Sequence, residues 1–229
     1  SGVLFAIDKL IDKEIEIDLF VYDTQNNLTQ IKEIIESQEL ETLDFILGPL
    51  IPSNFDYLSG HQSLKNIPKV SPLSTRPVEY RKNVFQSVTE ESFFRKKMYE
   101  HLENKLDTTQ HIVIVADEKN RDIEKELQLR FPWSIRLRPE KSDYIIPELV
   151  DSLLLDSVQN KIILETQSFP LIASAISQFN VQNTENRNVQ VYTTYRSNAY
   201  NNDNLSRKAL GGIKLTYPSG FKPFYKTFD

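Results

Sequence analysis

The 229-residue sequence contains no cysteine, which excludes disulfides, thiolate zinc sites and cysteine nucleophiles. It also lacks a long apolar run, since no stretch approaches the roughly 18 residues that a membrane-spanning helix needs. An excess of basic residues is absent too, because the formal net charge is −5. Nucleic-acid binders carry a basic patch or stripe, so this composition argues against that class of protein.

Recognisable catalytic motifs are also missing. The sequence has no G-x-G-x-x-G, no P-loop, no G-x-S-x-G elbow and no H-E-x-x-H. The three histidines, His61, His101 and His111, lie far apart, and none has a carboxylate or a second histidine at ligand spacing. We therefore expect no enzyme activity, no catalytic residue, no metal and no cofactor. The alternative is an enzyme whose active-site residues are dispersed along the chain and therefore form no recognisable motif.

What the sequence does contain is a series of apolar, β-branched runs that end in turn residues. Three lie in the first third of the chain, at residues 17–23 (IDLFVYD), 43–49 (LDFILGP) and 67–75 (IPKVSPLST). Helix-length amphipathic stretches separate them, and this alternation predicts buried parallel strands joined by helices. Further strands are predicted at residues 83–88, 111–116, 134–138, 161–165, 189–194 and 212–216. The predicted fold class is α/β with parallel sheets.

Four segments in the first third carry a family resemblance. They are residues 2–10 (GVLFAIDKL), 18–26 (DLFVYDTQN), 45–50 (FILGPL) and 67–75. In this order they resemble the type I periplasmic binding proteins of the branched-chain amino-acid receptor kind. In that family a helix G-x-x-x-A-I/V-D is followed by strands of the form V-x-D-T/D, I-x-G-P and I-P-x-I/V-S-P-x-x-T.

The resemblance implies two Rossmann-like lobes with parallel sheets, joined by hinge crossovers. Residues 1–88 would form the first lobe, with residues 218–229 returning toward it, and residues 89–217 would form the second lobe. Residues 3–10 already predict the first helix, so we expect the first lobe to lack its first strand. On this interpretation the chain is a piece of a longer protein of the periplasm or cell envelope, whose export signal lies outside it.

Candidate ligand-binding residues of the first lobe follow two of the predicted strands. Ser71, Ser74 and Thr75 stand at a strand's carboxyl end, where hydroxyl and backbone N–H groups can converge on an anion. The resemblance implies that Ser74 and Thr75 hold a ligand carboxylate, whereas the alternative is that these residues only build a turn. Ser53 and Asn54 in the neighbouring loop either contact the same ligand or cap a helix.

The second lobe departs from the family at one functional position. Many amino-acid receptors of that family place a Tyr-Gly pair after the strand that matches residues 111–116, and here the sequence is DEKNR. Candidate ligand-binding residues at later strand ends are Thr166, Thr194 and Tyr195. Tyr195 either stacks on a ligand or packs at a lobe boundary. Glu165 is the acid nearest a strand end that could face a ligand ammonium.

The function implied by the resemblance is a receptor domain that closes on a small polar ligand, amino-acid-like or peptidoglycan-derived. Its partners would be an ABC importer's permease or components of the cell envelope, with no nucleic acid and no transmembrane segment in this chain. The alternative is a non-transport envelope or peptidoglycan-associated domain, of the kind linked to LysM modules, with a degenerate cleft. Convergent polar groups would favour the receptor, and an apolar or obstructed cleft the interaction domain.

Overall fold

The computed structural model describes residues 2–37, 40–139 and 143–220. The chain divides into two compact units, residues 1–88 and 89–229, and each is described by itself. Each unit contains one parallel β-sheet and several helices, which confirms the predicted α/β class. The predicted return of the chain at residues 218–229 lies mostly outside the described residues.

The first unit is built on a three-stranded parallel sheet with strand order β1-β2-β3. The strands are β1 (Ile46–Leu47), β2 (Lys69–Ser71) and β3 (Val84–Gln86). The described residues of this unit form three α-helices: α1 (Gly2–Ile11), α2 (Leu28–Ser37) and α3 (Pro52–Gly60). Isoleucines of α2 pack with Leu58 of α3 and with Leu64 to form the main core of the unit.

The N-terminal stretch of the first unit contradicts one prediction. Residues 17–23 were predicted as a strand, but they form no regular element, and Val21 is 81% exposed. The adjoining helix α1 has no buried residue either. An apolar run becomes a strand only when a neighbour accepts its backbone hydrogen bonds, and the described sheet begins at β1. The run therefore forms no strand and stays exposed.

The second unit has a four-stranded parallel sheet of order β5-β4-β6-β7. The strands are β4 (His111–Ala116), β5 (Ile135–Leu137), β6 (Gln159–Glu165) and β7 (Asn188–Tyr192). The helices are α4 (Glu91–Lys105), α5 (Arg121–Arg130), α6 (Pro147–Leu153), α7 (Phe169–Gln182) and α8 (Arg207–Gly212). The strand predicted at residues 212–216 is reduced to a single bridge between Thr216 and Tyr192, because α8 extends to Gly212 and the turn that follows it runs through Lys214, which has a φ of 50°.

Both faces of the second sheet are covered. Val113 and Val115 of β4 pack into a core that includes residues of α6, α7 and α8. Ile112 and Ile114, which point to the opposite face, pack with residues of α4 and α5. Beyond α5, the Trp133 ring meets the Phe131 ring edge-on, with 5.8 Å between the ring centroids. This layered arrangement explains why the strands are apolar on both faces.

None of the described helices is both long and apolar enough to cross a membrane.

Candidate functional site

At the carboxyl edge of the first sheet, two buried polar atoms have no hydrogen-bond partner within the described part of the chain. One is the Ser71 hydroxyl oxygen at the end of β2, on a residue that is fully buried. The other is Nδ2 of Asn54, in the first turn of α3, on a residue that is 6% exposed. Helix α3 packs against β2. Buried polar groups are nearly always satisfied. Other atoms without partners occur in the described part of the second unit, such as Glu124 Oε1 and Ser134 Oγ, so it is the placement of Ser71 and Asn54 on adjoining elements that makes this edge a candidate site.

The N-terminus of α3 offers further donors at this edge. The N-cap residue is Ile51, which has no side-chain cap, so the interpretation of Ser53 or Asn54 as the N-cap is wrong. The first hydrogen bond of the helix runs from the Phe55 N–H to the Ile51 carbonyl at 2.9 Å. The N–H groups that precede it have no acceptor within the helix. Ser53 itself is exposed at this end.

The loop after β2 is fixed by its own hydrogen bonds. The Ser74 hydroxyl accepts from the Arg76 N–H at 3.1 Å, and Gln86 Nε2 donates to the Ser74 carbonyl at 2.6 Å. Leu73 has a φ of 60°, which the turn requires. Thr75 is half-buried in this loop. Ser74 therefore has the local partners that the turn interpretation predicts, and Ser71, three residues earlier, is the hydroxyl that lacks one.

A buried lysine lies on the same strand as Ser71. Lys69 is fully buried, and its Nζ donates to the Ile67 carbonyl at 2.7 Å and to the Leu64 carbonyl. Burial lowers the pKa of Lys69, and the nearby positive charge of Arg81 lowers it further. Sequence reasoning missed this residue, although a lysine inside an apolar run (IPKVS) was a visible signal.

The carboxyl edge of the second sheet is built around a buried ion pair. Glu165, at the end of β6, is 2% exposed and lies 3.0 Å from Nη1 of Arg95. Its other oxygen accepts the Thr194 N–H at 2.6 Å, and the Thr194 hydroxyl accepts from Arg95. Complete burial raises the pKa of Glu165, and Arg95 offsets part of that rise. Arg95 is also paired with Glu91 at 2.8 Å.

A second buried carboxylate at this edge is satisfied by neutral donors. Asp117, just after β4, accepts the Thr166 hydroxyl at 2.5 Å and both the backbone and side-chain N–H groups of Asn120. The Thr166 oxygen in turn accepts the Ser168 N–H at 3.0 Å. Thr166 and Thr194, both predicted ligand contacts, are thus engaged within the unit. Tyr195 is half-buried, and its ring lies 6.0 Å from the Arg95 guanidinium carbon.

Sequence reasoning missed Arg95, because a single arginine on a helix carries no sign of the strand end it reaches. Elsewhere, the histidines stay apart, with His61 beside the Ser63 hydroxyl and His111 beside the Leu153 carbonyl. Within residues 2–37, 40–139 and 143–220, no three His, Asp or Glu side chains are grouped so as to hold a metal ion.

In comparisons with known proteins, no family model, no curated protein and no solved structure matches this chain.

Proposed function

We propose that this chain is a ligand-binding receptor domain of the type I periplasmic binding protein kind, with its primary contacts at the carboxyl edge of the first sheet. Ser71 and Asn54 supply these contacts, together with the N-terminus of α3. In parallel α/β sheets this edge is where ligands bind, because the loops that follow the strands converge there.

The single observation that carries the proposal is the pair of buried atoms without partners, Ser71 Oγ and Asn54 Nδ2. A buried polar group that loses its hydrogen bond costs about 1–3 kcal/mol, so a fold keeps such groups where something else compensates them. A bound ligand supplies that compensation. The family resemblance supports the same region, because it implies Ser53 with Asn54 in one loop, and Ser74 with Thr75 three and four residues after Ser71.

The same resemblance supports a cellular location and partners for such a receptor. A receptor of this kind would act in the periplasm or cell envelope, delivering a small polar ligand to an ABC permease or signalling through an envelope receptor. Amino-acid-like compounds and peptidoglycan-derived fragments are the ligand classes to examine. Closure of two lobes on the ligand is how such receptors report occupancy.

The test is a thermal-shift screen of the purified chain against amino acids, short peptides and peptidoglycan fragments, followed by calorimetric titration of every probe that raises the melting temperature. The variant Ser71→Ala removes one of the two atoms. We expect it to weaken binding of such a probe by about 5- to 150-fold, which corresponds to about 1–3 kcal/mol.

Ser59→Ala is the matched control. Ser59 is a buried serine of the same unit, but its hydroxyl donates to the Asp56 carbonyl and accepts from Arg81. Its loss should lower stability and leave affinity unchanged. If no probe stabilises the chain, or if Ser71→Ala binds as tightly as the parent, the receptor proposal fails.

A second candidate function is an envelope or peptidoglycan-associated interaction domain that does not transport. The observation that favours it is that polar side chains at the second sheet edge are already hydrogen-bonded within the unit. Glu165, Thr166 and Thr194 all have such partners. Pull-down on purified peptidoglycan, with no thermal shift from any soluble fragment, would favour this candidate over the receptor.

A further inference from the structure

The two faces of the first sheet differ in how well they are covered. On one face, Ile46 and Val84 pack with residues of α2 and α3. On the other face, the strand register aligns Leu47 of β1, Val70 of β2 and Phe85 of β3 in one row. Leu47 is 48% exposed and Phe85 is 54% exposed. Parallel sheets are normally covered on both faces, so this row is an apolar surface that the single chain leaves exposed.

Helix α1 also has an apolar side that the single chain leaves in solvent. The residues that share this side at helical spacing are Val3, Leu4, Ile7, Leu10 and Ile11. None of the ten residues of α1 is buried. A helix this short is marginal in water unless its apolar side packs against something. We therefore expect α1 to need a surface to lie on.

The exposed apolar surface is large enough to form a stable interface. Beyond α1, the side chains that remain at least 36% exposed include Ile15, Ile17, Leu19, Phe20 and Val21. Together with α1 and the sheet row they offer on the order of 1,000 Å² of apolar surface per copy, since a large side chain has roughly 150–250 Å². The largest apolar patch of a typical monomer is about 300–600 Å². A stable protein pair buries about 800 Å² on each partner.

We infer that two copies of this chain associate, with α1 of each copy lying on the exposed sheet row of the other. Every copy carries both elements, so the exchange is reciprocal and a two-fold axis closes the dimer. The association displaces no packing that the single chain already has, because α1 and the row are both exposed in it. This interface lies on the face of the first sheet, whereas the proposed ligand contacts lie at its carboxyl edge. The inference therefore goes beyond the receptor function.

The first measurement is the oligomeric state of the full chain, by sedimentation velocity between about 1 and 100 μM. We expect the chain to be monomeric at the lowest concentration and dimeric at the highest. An interface of standard size gives dissociation constants from the micromolar range downward, so the equilibrium should fall within or below this window.

Two variants place a charge in each half of the interface. Ile7→Glu puts a carboxylate at the centre of the apolar side of α1, and Phe85→Lys puts an ammonium in the sheet row. Neither residue is buried in the single chain, and circular dichroism verifies that each variant is folded. Each variant should raise the dissociation constant of the dimer at least about tenfold, because an unpaired charge is unfavourable in an apolar interface.

Matched controls carry the same charges away from the interface. Phe5→Glu lies on the opposite side of α1, where Phe5 is 63% exposed and Lys9 lies over its ring at 4.8 Å. Glutamate there is four residues before Lys9, a spacing that favours the helix. Leu129→Lys replaces a side chain of the second unit that is 84% exposed. Both controls should dimerise as the parent does.

Mixing the two interface variants tests the exchange itself. Each variant alone has an unpaired charge in both contacts between α1 and the sheet row. In a mixed dimer, one contact is unchanged and the other holds both opposite charges. An equimolar mixture of Ile7→Glu and Phe85→Lys should therefore form a dimer at least about tenfold more tightly than either variant alone.

Several results would overturn the inference. A chain that stays monomeric up to about 100 μM would show that the row has no second copy as its partner. A dimer that Ile7→Glu or Phe85→Lys leaves intact would exclude the contact between α1 and the sheet row. Variants that remain monomeric when mixed would exclude the reciprocal exchange, and open-ended growth beyond the dimer would exclude the two-fold arrangement.

Discussion

The two sheets are built from similar apolar runs, yet they differ in how fully those runs become strands. In the second unit, β4 and β6 extend over six and seven residues, and nearly every residue in them is buried. In the first unit, β1 has two residues and β2 has three. The second sheet has helices on both faces, whereas α1 in the first unit buries no residue. Apolar sequence alone does not make a strand, because pairing and cover decide its length.

The carboxyl edges of the two sheets differ in how fully their polar side chains are hydrogen-bonded. At the second edge, Glu165 and Asp117 have their acceptor oxygens occupied by groups of the same unit. At the first edge, Ser71 and Asn54 keep polar atoms without partners. The described part of the second unit also keeps buried polar atoms without partners, among them Glu124 Oε1 and Ser134 Oγ, but none of them belongs to the two carboxylates of its sheet edge.

The largest expected effect is on the free energy of unfolding, when a leucine is replaced by alanine in each of the two sheets. Leu164→Ala in β6 removes a fully buried side chain and leaves a cavity, and it should cost about 2–5 kcal/mol. Leu47→Ala in β1 truncates a side chain that is 48% exposed, and its cost should be well under half as large. Urea unfolding followed by circular dichroism measures both. Equal losses would show that the first sheet is packed as tightly as the second.

A slightly smaller effect is expected from the ion pair of the second edge. Glu165→Gln leaves the Arg95 guanidinium, 14% exposed, without its buried partner. Removing one member of a buried pair costs about 3–5 kcal/mol, and the lower end applies because Glu91 remains paired with Arg95. The same change at Glu118, whose pair with Arg121 is exposed, should be silent in the same unfolding assay. A silent Glu165→Gln would mean that the pair contributes nothing to folding.

The smallest effect is a slope of stability against pH that arises from Lys69. Because its pKa is lowered from 10.5 in the folded chain, the unfolded chain binds more protons, and stability should rise with pH through the window below about 10.5. The slope from one such group is at most about 1.4 kcal/mol per pH unit.

The comparison protein for this slope is Lys69→Gln, which should lose the contribution. Lys161, whose pKa is also lowered by burial, is present in both proteins and cancels in the difference. Parallel stability curves for the two proteins between neutral and alkaline pH would contradict the assignment to Lys69.

Sequence patterns predicted the second unit better than the first for a physical reason. The run at residues 111–116 (HIVIVA) becomes β4 over the same residues. A parallel strand lies on each side of it, and these strands accept and donate its backbone hydrogen bonds. The run at residues 17–23 is also largely apolar, but it pairs with no strand among the residues that the structure describes. The periodicity of a segment shows that it has the pattern of a strand. It does not show whether the fold places a partner strand beside that segment.

The site shows the same limit. Turn residues after β2 drew attention to Ser71, Ser74 and Thr75, but only the packed structure shows that Ser74 is satisfied by Arg76 and Gln86 while Ser71 is not. Arg95 lies 70 residues before Glu165 in sequence. No local pattern connects two such distant residues, so the ion pair could not be predicted from the sequence.

The position of the single tryptophan has an optical consequence. Trp133 is the only tryptophan in the 229 residues, and it lies in the second unit with its ring edge-on to Phe131. Selective excitation of indole therefore reports on the second unit alone. Trp133 is already 40% exposed in the folded chain, and unfolding exposes the rest of the ring to water, which should shift its emission modestly to longer wavelength. Emission and circular dichroism recorded on the same sample would separate the melting of the two units without a label.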